Sequence, residues 1–213
     1  MRLLMETWRN FLSEGMKTPD EIPEGYGIEV SKEQGGVFYF IYTKDGGKQW
    51  GGSADSGGPS GYVAVVKAKD MNYGDCLDGY YVKAADAASG WGPMLYDVAM
   101  EVASEVGGGL TPDRSSVSDS AQNVWNYYLG SRGDVQSHQL DLTDKDISAA
   151  EKFLKPPVKL QKLTPDIEED DCLQTKTVRA HRDEWDQSSL SKRYTKAPTT
   201  MNALRAAGRL VEI

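Results

Sequence analysis

The sequence predicts an α/β fold in which a mixed sheet is flanked by helices. Two segments rich in β-branched and aromatic residues follow each other at residues 62–69 and 79–84, as expected for neighbouring strands. Residues 93–106 then carry apolar side chains at helical spacing. With 213 residues the chain is long enough for one core with appendages, but hardly for two full domains.

The segments before this centre predict a β-hairpin and a long loop. Residues 26–31 and 37–43 are rich in aromatic and β-branched residues, and the sequence EQGG between them supplies turn residues. Residues 44–60 are rich in glycine, but no Gly-Lys-Ser/Thr sequence ends them, so a P-loop is not indicated. We expect a solvated loop there.

The sequence ADAASGWG at residues 85–92 joins the second central strand to the helix. Pro93 suits the first helical turn, and three consecutive glycines from residue 107 end the helix. Unpaired amides at a helix N-terminus suit a phosphate group, and Gly90 and Gly92 would let a ligand approach the backbone closely. A tight turn without a ligand explains the same residues equally well.

A short strand at residues 109–111 and a helix at residues 121–129 follow, the helix capped by Ser118 or Asp119. This succession of strand, loop, helix, strand and helix resembles the acyl-CoA-binding core of the GCN5-related N-acetyltransferases (GNAT). The likeness of layout covers about a third of the chain and implies a GNAT-like α/β domain, which we expect to span residues 26–140.

The pyrophosphate loop of that family reads Arg/Gln-x-x-Gly-x-Gly/Ala. Gly90 and Gly92 match the two glycines, whereas Ala87 stands where the family has a basic or amide residue. The resemblance implies acetyl-CoA as the cofactor, with Gly90, Trp91 and Gly92 as the cofactor-binding residues and the amides of Trp91 and Gly92 holding the pyrophosphate.

The next helix of the family often reads Asn-x-x-Ala-x-x-aliphatic-Tyr, and its phenol protonates the departing thiolate. The corresponding residues here are Ser118, Ala121, Val124 and Trp125. Because an indole cannot donate that proton, the resemblance implies the neighbouring Tyr128 or Tyr127 as the catalytic acid. The base that accepts the proton of the attacking amine is Asp86 or Glu101, and the pattern does not choose between them. A form that keeps the fold and has lost the reaction remains open.

The first fourteen residues, MRLLMETWRNFLSE, predict a short amphipathic helix, followed by a Gly/Pro-containing linker over residues 15–25. One interpretation is that this helix packs on the core of its own chain. Residues 5–14 also resemble the capsid-targeting peptide of internal head proteins of T-even-type bacteriophages. In that family the prohead protease cuts after the glutamate of an aliphatic-x-Glu triplet, which implies cleavage within the processing sequence Leu12, Ser13, Glu14 and Gly15, after Glu14. The implied partners are the phage head scaffold and the prohead protease, and the implied location is the virion interior and the host cytoplasm.

Composition limits the classes of function. A net charge of −8 and an isoelectric point near 4.9 disfavour non-specific binding to nucleic acid or anionic lipid. Cys76 and Cys172 are far apart and lack partners at metal spacing, so we expect free thiols and no metal site. His138 and His181 are expected to be ordinary surface histidines. No apolar run approaches the length of a membrane span, and no secretion signal begins the sequence, so we expect a soluble protein.

Residues 141–213 are expected to form a helical and extended C-terminal arm. A helix at residues 143–154 is capped by Thr143, and a second helix is expected at residues 201–210. The basic residues 152–162 and the acidic residues 166–171 either pair across a turn or stay solvated.

Two functions follow from these patterns. The first is a phage-encoded GNAT-like enzyme that transfers an acetyl group from acetyl-CoA to an amine of unknown identity. The alternative is a non-catalytic internal virion protein that is packaged by its N-terminal peptide, cleaved after Glu14, and acts as a binding or structural factor. The two are compatible, because a packaged protein can itself be an enzyme.

Overall fold

The computed structural model describes residues 16–51, 58–68, 76–113, 116–153, 160–174 and 184–213. Within them the chain is mixed α/β, with a mixed sheet flanked by four helices. None of the described helices is long and apolar enough to cross a membrane. The expected targeting peptide, with its processing residues Leu12, Ser13, Glu14 and Gly15, lies outside the described residues.

The elements follow the predicted order through the centre of the chain. The strands are β1 (Tyr26–Lys32), β2 (Phe38–Lys44), β3 (Gly47–Lys48), β4 (Gly61–Lys67), β5 (Tyr80–Ala87), β6 (Leu110–Thr111), β7 (Val135–Gln139), β8 (Asp141–Leu142), β9 (Asp171–Cys172), β10 (Lys192–Lys196) and β11 (Leu210–Glu212). The helices are α1 (Gly92–Val106), α2 (Asp119–Ser131), α3 (Asp144–Phe153) and α4 (Thr199–Ala206).

The chain forms two compact units, and the first comprises the described residues within 1–65, 83–101 and 198–213. Its strand order is β11-β1-β2-β4-β5, with β3 paired to β2. β1 and β2 form the expected antiparallel hairpin, and β11 lies parallel to β1. Strand β2 is buried on both faces, because Phe40, Ile41 and Tyr42 are each 1 % exposed or less. Burying such a side chain contributes roughly 1.5–3 kcal/mol, so this strand anchors the unit.

The second unit comprises the described residues within 66–82 and 102–197. Since the division falls inside β4 and β5, each unit contains a part of these two strands, and the strand order of the second unit is β4-β5-β6-β10-β7. Strands β5 and β6 are parallel, and their register contains only two pairs, Tyr80 with Leu110 and Tyr81 with Thr111. Strand β10 is antiparallel to both of its neighbours. Strands β8 and β9 form a separate two-stranded parallel sheet.

The prediction of two free thiols is wrong, because Cys76 and Cys172 form a disulfide with their Cα atoms 5.0 Å apart. The two cysteines are 96 positions apart in the sequence, so only the tertiary fold brings them together. The bond joins β9 to a turn in which Cys76, Leu77 and Asp78 all have positive φ, at 41°, 53° and 62°. Left-handed backbone costs roughly 1–2 kcal/mol per non-glycine residue, so this turn is strained.

The expected C-terminal arm is also corrected, because strands from this region belong to the sheet. β10 lies between β6 and β7 in the second unit, and β11 pairs with β1 in the first. The sequence of β10, KRYTK, has one large apolar residue, Tyr194, and this residue is fully buried opposite Leu110. One apolar residue in five gives no alternating pattern, which is why the sequence did not indicate this strand.

Two predicted helix starts are confirmed in atomic detail. Ser118 is the N-cap of α2, and its hydroxyl accepts a hydrogen bond from the amide of Ala121 at 3.3 Å. The hydroxyl of Thr143 likewise accepts from the amide of Asp146, and the Asp146 carboxylate accepts from the Thr143 amide, both at 3.2 Å. These reciprocal bonds satisfy amides that a helix leaves unpaired in its first turn.

Candidate functional site

The loop between β5 and α1 is a tight turn stabilised by backbone hydrogen bonds. The amide of Ala88 donates to the carbonyl of Ser60 at 3.0 Å, and the amide of Trp91 donates to the carbonyl of Ala88 at 3.0 Å. The carbonyl of Gly90 accepts from the amide of Lys17 at 3.2 Å. The loop therefore has a fixed shape, and the Trp91 amide is already used within the turn.

Trp91 anchors the loop to the core of the first unit. Its side chain is 5 % exposed and packs edge-on against the ring of Tyr42, with the ring centroids 5.8 Å apart. The Tyr42 hydroxyl donates to the Trp91 carbonyl at 2.8 Å. Burial, and then the negative charge of Asp97, raises the pKa of Tyr42 well above its usual range. The phenol therefore stays protonated and keeps donating.

The two glycines of the loop have different roles. Gly90 has φ of +81°, a conformation that favours glycine and makes the turn possible. Gly92 has no such requirement, and of the described residues a Cβ added there would meet only the Cβ of Ala87, at an ordinary 3.6 Å. Gly92 is also the first residue of α1, whose first turn contains no acidic residue. Its amide lies at the positive end of the helix dipole, where an anionic ligand is favoured.

The two candidate bases have different environments. The Asp86 side chain is exposed. Glu101 is fully buried, and its carboxylate accepts hydrogen bonds from the amides of Thr200 at 2.8 Å and Met201 at 2.7 Å, in the first turn of α4. The N-cap residue of that helix is Pro198, which makes no side-chain capping bond. Glu101 thus caps α4 from a distant part of the chain, and Asp86 is the accessible carboxylate.

We expect Glu101→Ala to lower the free energy of unfolding by about 3 kcal/mol, because two buried amides lose a charged acceptor. Glu101→Gln, which keeps one acceptor oxygen, should give an intermediate loss. Urea unfolding followed by circular dichroism measures both values. An unchanged midpoint for Glu101→Ala would mean that the carboxylate does not cap α4.

The two predicted catalytic tyrosines lie next to each other on α2 in the second unit. Tyr128 is 1 % exposed, and its ring lies 5.9 Å from that of Trp125 and 6.3 Å from that of Tyr194. Tyr127 is only half-buried. The Arg132 guanidinium lies over both tyrosine rings, 5.9 Å and 5.5 Å from the centroids of Tyr127 and Tyr128. Tyr128 is therefore part of an aromatic core cluster, and Tyr127 is the more accessible phenol.

The sequence led us to expect an exposed His138, but this side chain is partly buried in β7. Its Nε2 atom lies 3.1 Å from the Thr195 hydroxyl, and burial, followed by the charge of Arg193, lowers the pKa of His138. His181 lies outside the described residues.

Sequence reasoning missed one group of polar residues in the second unit. Asp141, Asp170 and Asp171 each offer a carboxylate oxygen, and these oxygens lie within 4.8 Å of one another. The available signal was the acidic run at residues 166–171, but its partner Asp141 is far away in sequence. Only the pairing of β8 with β9 brings the three together.

No protein-family model matches the chain, and neither the curated proteins nor the solved structures contain a significant match.

Proposed function

We propose that the chain is a GNAT-like acyltransferase that binds acetyl-CoA at the loop formed by Gly90, Trp91 and Gly92 and transfers the acetyl group to an amine. The observation that carries the proposal is the order of elements. β5, a tight glycine turn, α1, the parallel strand β6 and α2 follow one another in the succession that the family resemblance implies.

The position of the loop supports an anionic ligand. It follows the carboxyl end of β5 and leads directly into the first turn of α1, and ligands of open α/β sheets bind at the carboxyl ends of strands. The Gly92 amide is the donor we assign to the pyrophosphate, because the Trp91 amide already donates to Ala88. No contact among the described residues requires a glycine at position 92, and its lack of a side chain suits the close approach of a ligand.

The proposed chemistry is direct transfer. The amine nitrogen attacks the thioester carbonyl carbon, a C–N bond forms, and the C–S bond breaks. Asp86 is the candidate acceptor of the amine proton, and a tyrosine phenol donates a proton to the departing thiolate, giving an N-acetylated amine and free CoA. Of the two predicted tyrosines we favour Tyr127 as the donor, because Tyr128 is buried among aromatic rings.

The test of this proposal is the thermal midpoint with and without millimolar acetyl-CoA, with dephospho-CoA and ATP as controls. A ligand at a hundred times its dissociation constant adds about 2.7 kcal/mol, which corresponds to a rise of about 5 °C or more in a chain of this size. The absence of any rise with acetyl-CoA would overturn the proposal.

We expect Gly92→Ala to keep the midpoint of the free protein and to weaken acetyl-CoA binding about tenfold, a loss of about 1.4 kcal/mol. The added methyl group has room within the protein but occupies the space of the ligand. Gly133→Ala is the matched control, since a Cβ there meets no described atom within 4 Å and the residue is not part of the loop. Titration calorimetry measures the affinities, and equal affinity of Gly92→Ala and the wild type would exclude this loop as the site.

The alternative proposal is a non-catalytic internal virion protein. The burial of Tyr128 and the capping role of Glu101 favour it, because two of the candidate catalytic groups have structural roles. The N-terminal sequence resemblance supplies the packaging and processing steps. Mass spectrometry of the protein from purified particles tests it: a chain that begins at Gly15 supports cleavage after Glu14, and an intact N-terminus contradicts it.

A further inference from the structure

Three aspartates of the second unit lie side by side at the start of the small sheet. Asp141 is the first residue of β8 and lies opposite Asp171, the first residue of β9. Asp170 directly precedes Asp171 in the sequence. Asp141 is 1 % exposed and Asp170 is 8 % exposed. Like charges this close and this far from water repel each other strongly unless something compensates them.

The protein compensates the charge of Asp141 with its own donors. The Asp141 carboxylate accepts hydrogen bonds from the amides of Leu142 at 2.7 Å, Leu163 at 3.1 Å and Thr164 at 2.7 Å. The Thr164 hydroxyl also lies 3.1 Å from it, but its one hydrogen is used in the shorter bond to Asp170. This carboxylate is therefore held in place by the segment that precedes β9.

The other two carboxylates are only half satisfied. Asp170 Oδ2 accepts from the Thr164 hydroxyl at 2.7 Å, and Asp171 Oδ2 accepts from the Lys162 ammonium. The Oδ1 atoms of both aspartates are buried and have no hydrogen-bond donor among the described residues. Gln174, whose Nε2 donates to the Asp141 carbonyl at 2.8 Å, has a buried Oε1 atom that likewise finds no donor in the described part of the chain. Buried oxygens without donors are costly, so each calls for a missing partner.

The missing partner is positive. Within the described ranges, three carboxylates face one ammonium, that of Lys162, which leaves a formal excess of two negative charges. The exposed Asp144 carboxylate, 3.6 Å from the same ammonium, adds further negative charge. Burial is the largest cause that raises the pKa of Asp170 and of Asp171, and the charge of Asp141 raises both further.

We propose that Asp141, Asp170 and Asp171 bind a divalent cation of the calcium or magnesium class, with the free Oδ1 atoms of Asp170 and Asp171 as ligands. The ligand atoms that the described residues offer are all oxygens, which hard cations prefer, and no described cysteine or histidine belongs to the group. A charge of +2 would balance the excess negative charge.

The cation would stabilise the segment that carries the disulfide. Asp171 is next to Cys172, and the carbonyl of Glu169 accepts from the amide of Leu77 at 2.6 Å in the strained turn that contains Cys76. Fixing the acidic segment therefore also fixes this turn. Because the unfolded chain cannot present the three carboxylates together, binding adds to the free energy of unfolding.

The experiment uses the full chain with its disulfide intact, first treated with EDTA. We expect 1 mM Ca²⁺ or 1 mM Mg²⁺ to raise the thermal midpoint at pH 7 by a few degrees, and calorimetry to give one site per chain. Asp170→Asn should abolish the response while the metal-free midpoint stays the same or rises, because one repelling charge is removed. Asp166→Asn, at an exposed position of the same segment, is the matched control and should respond like the wild type.

Three results would overturn the proposal. The first is no response of the wild type to either cation, and the second is the same response in Asp170→Asn. The third is a metal-free midpoint that rises from pH 7 to pH 5 without any effect of cations, because the cluster would then hold a proton in place of a metal. If Asp170→Asn keeps its metal-free midpoint, misfolding cannot be the reason why this variant no longer responds to the cations.

Discussion

Reduction of the Cys76–Cys172 disulfide is expected to lower the free energy of unfolding by about 4 kcal/mol. The bond closes a loop spanning 96 positions, and a loop of this length removes much conformational freedom from the unfolded chain. In the reduced protein the left-handed backbone at Cys76, Leu77 and Asp78 still costs free energy, but the disulfide no longer fixes this turn. The thermal midpoint should fall by roughly 10 °C, measured by calorimetry with and without a phosphine reductant.

The double variant Cys76→Ala and Cys172→Ala is the control for side effects of the reductant. Its midpoint should be low and should not change when the reductant is added. Two free thiols in the denatured, unreduced wild-type protein, detected by alkylation and mass spectrometry, would contradict the disulfide itself.

Gly108→Ala is expected to destabilise the protein by about 3 kcal/mol or more. A Cβ at Gly108 would lie 1.8 Å from the carbonyl oxygen of Leu77, and a backbone atom cannot move away as a side chain can. The amide of Gly108 also donates to the carbonyl of Asp78 at 3.1 Å, so any shift would break this bond. Urea unfolding and the yield of folded protein measure the effect.

Gly130→Ala is the matched control for this substitution. Gly130 lies within α2, and a Cβ there would meet none of the described atoms within 4 Å. Alanine is better than glycine inside a helix by about 1 kcal/mol, so the control should be slightly stabilised. Equal stability of the two variants would show that the backbone of Leu77 does not approach Gly108 this closely.

Local sequence signals were sufficient for the centre of the fold. β4, β5 and α1 follow from runs of apolar residues with the right period, and Ser118 and Thr143 cap their helices through bonds to residues three positions away. Such signals need no knowledge of the rest of the chain, and all of these elements were predicted to within a few residues.

The sequence could not reveal features that depend on distant residues. Strand β10 contains one large apolar residue, and the cysteine pair spans 96 positions. The same limit applies to the site, because nothing near Glu101 in sequence shows that it caps α4, and nothing near Tyr128 shows that it meets Tyr194. Burial and long-range pairing decide these roles.

Strand β11 also affects how the protein behaves in concentrated solution. Its residues lie alongside Ile28, Glu29 and Val30 of β1, and the amide of Ile213 donates to the carbonyl of Val30 at 3.0 Å. A strand whose backbone groups are left open is a template for pairing with other molecules and for aggregation. Among the described strands β11 is itself the end of the sheet, but it has only three residues, whereas β1 has seven. A purification tag that pulls β11 away would therefore uncover a longer open edge and promote aggregation.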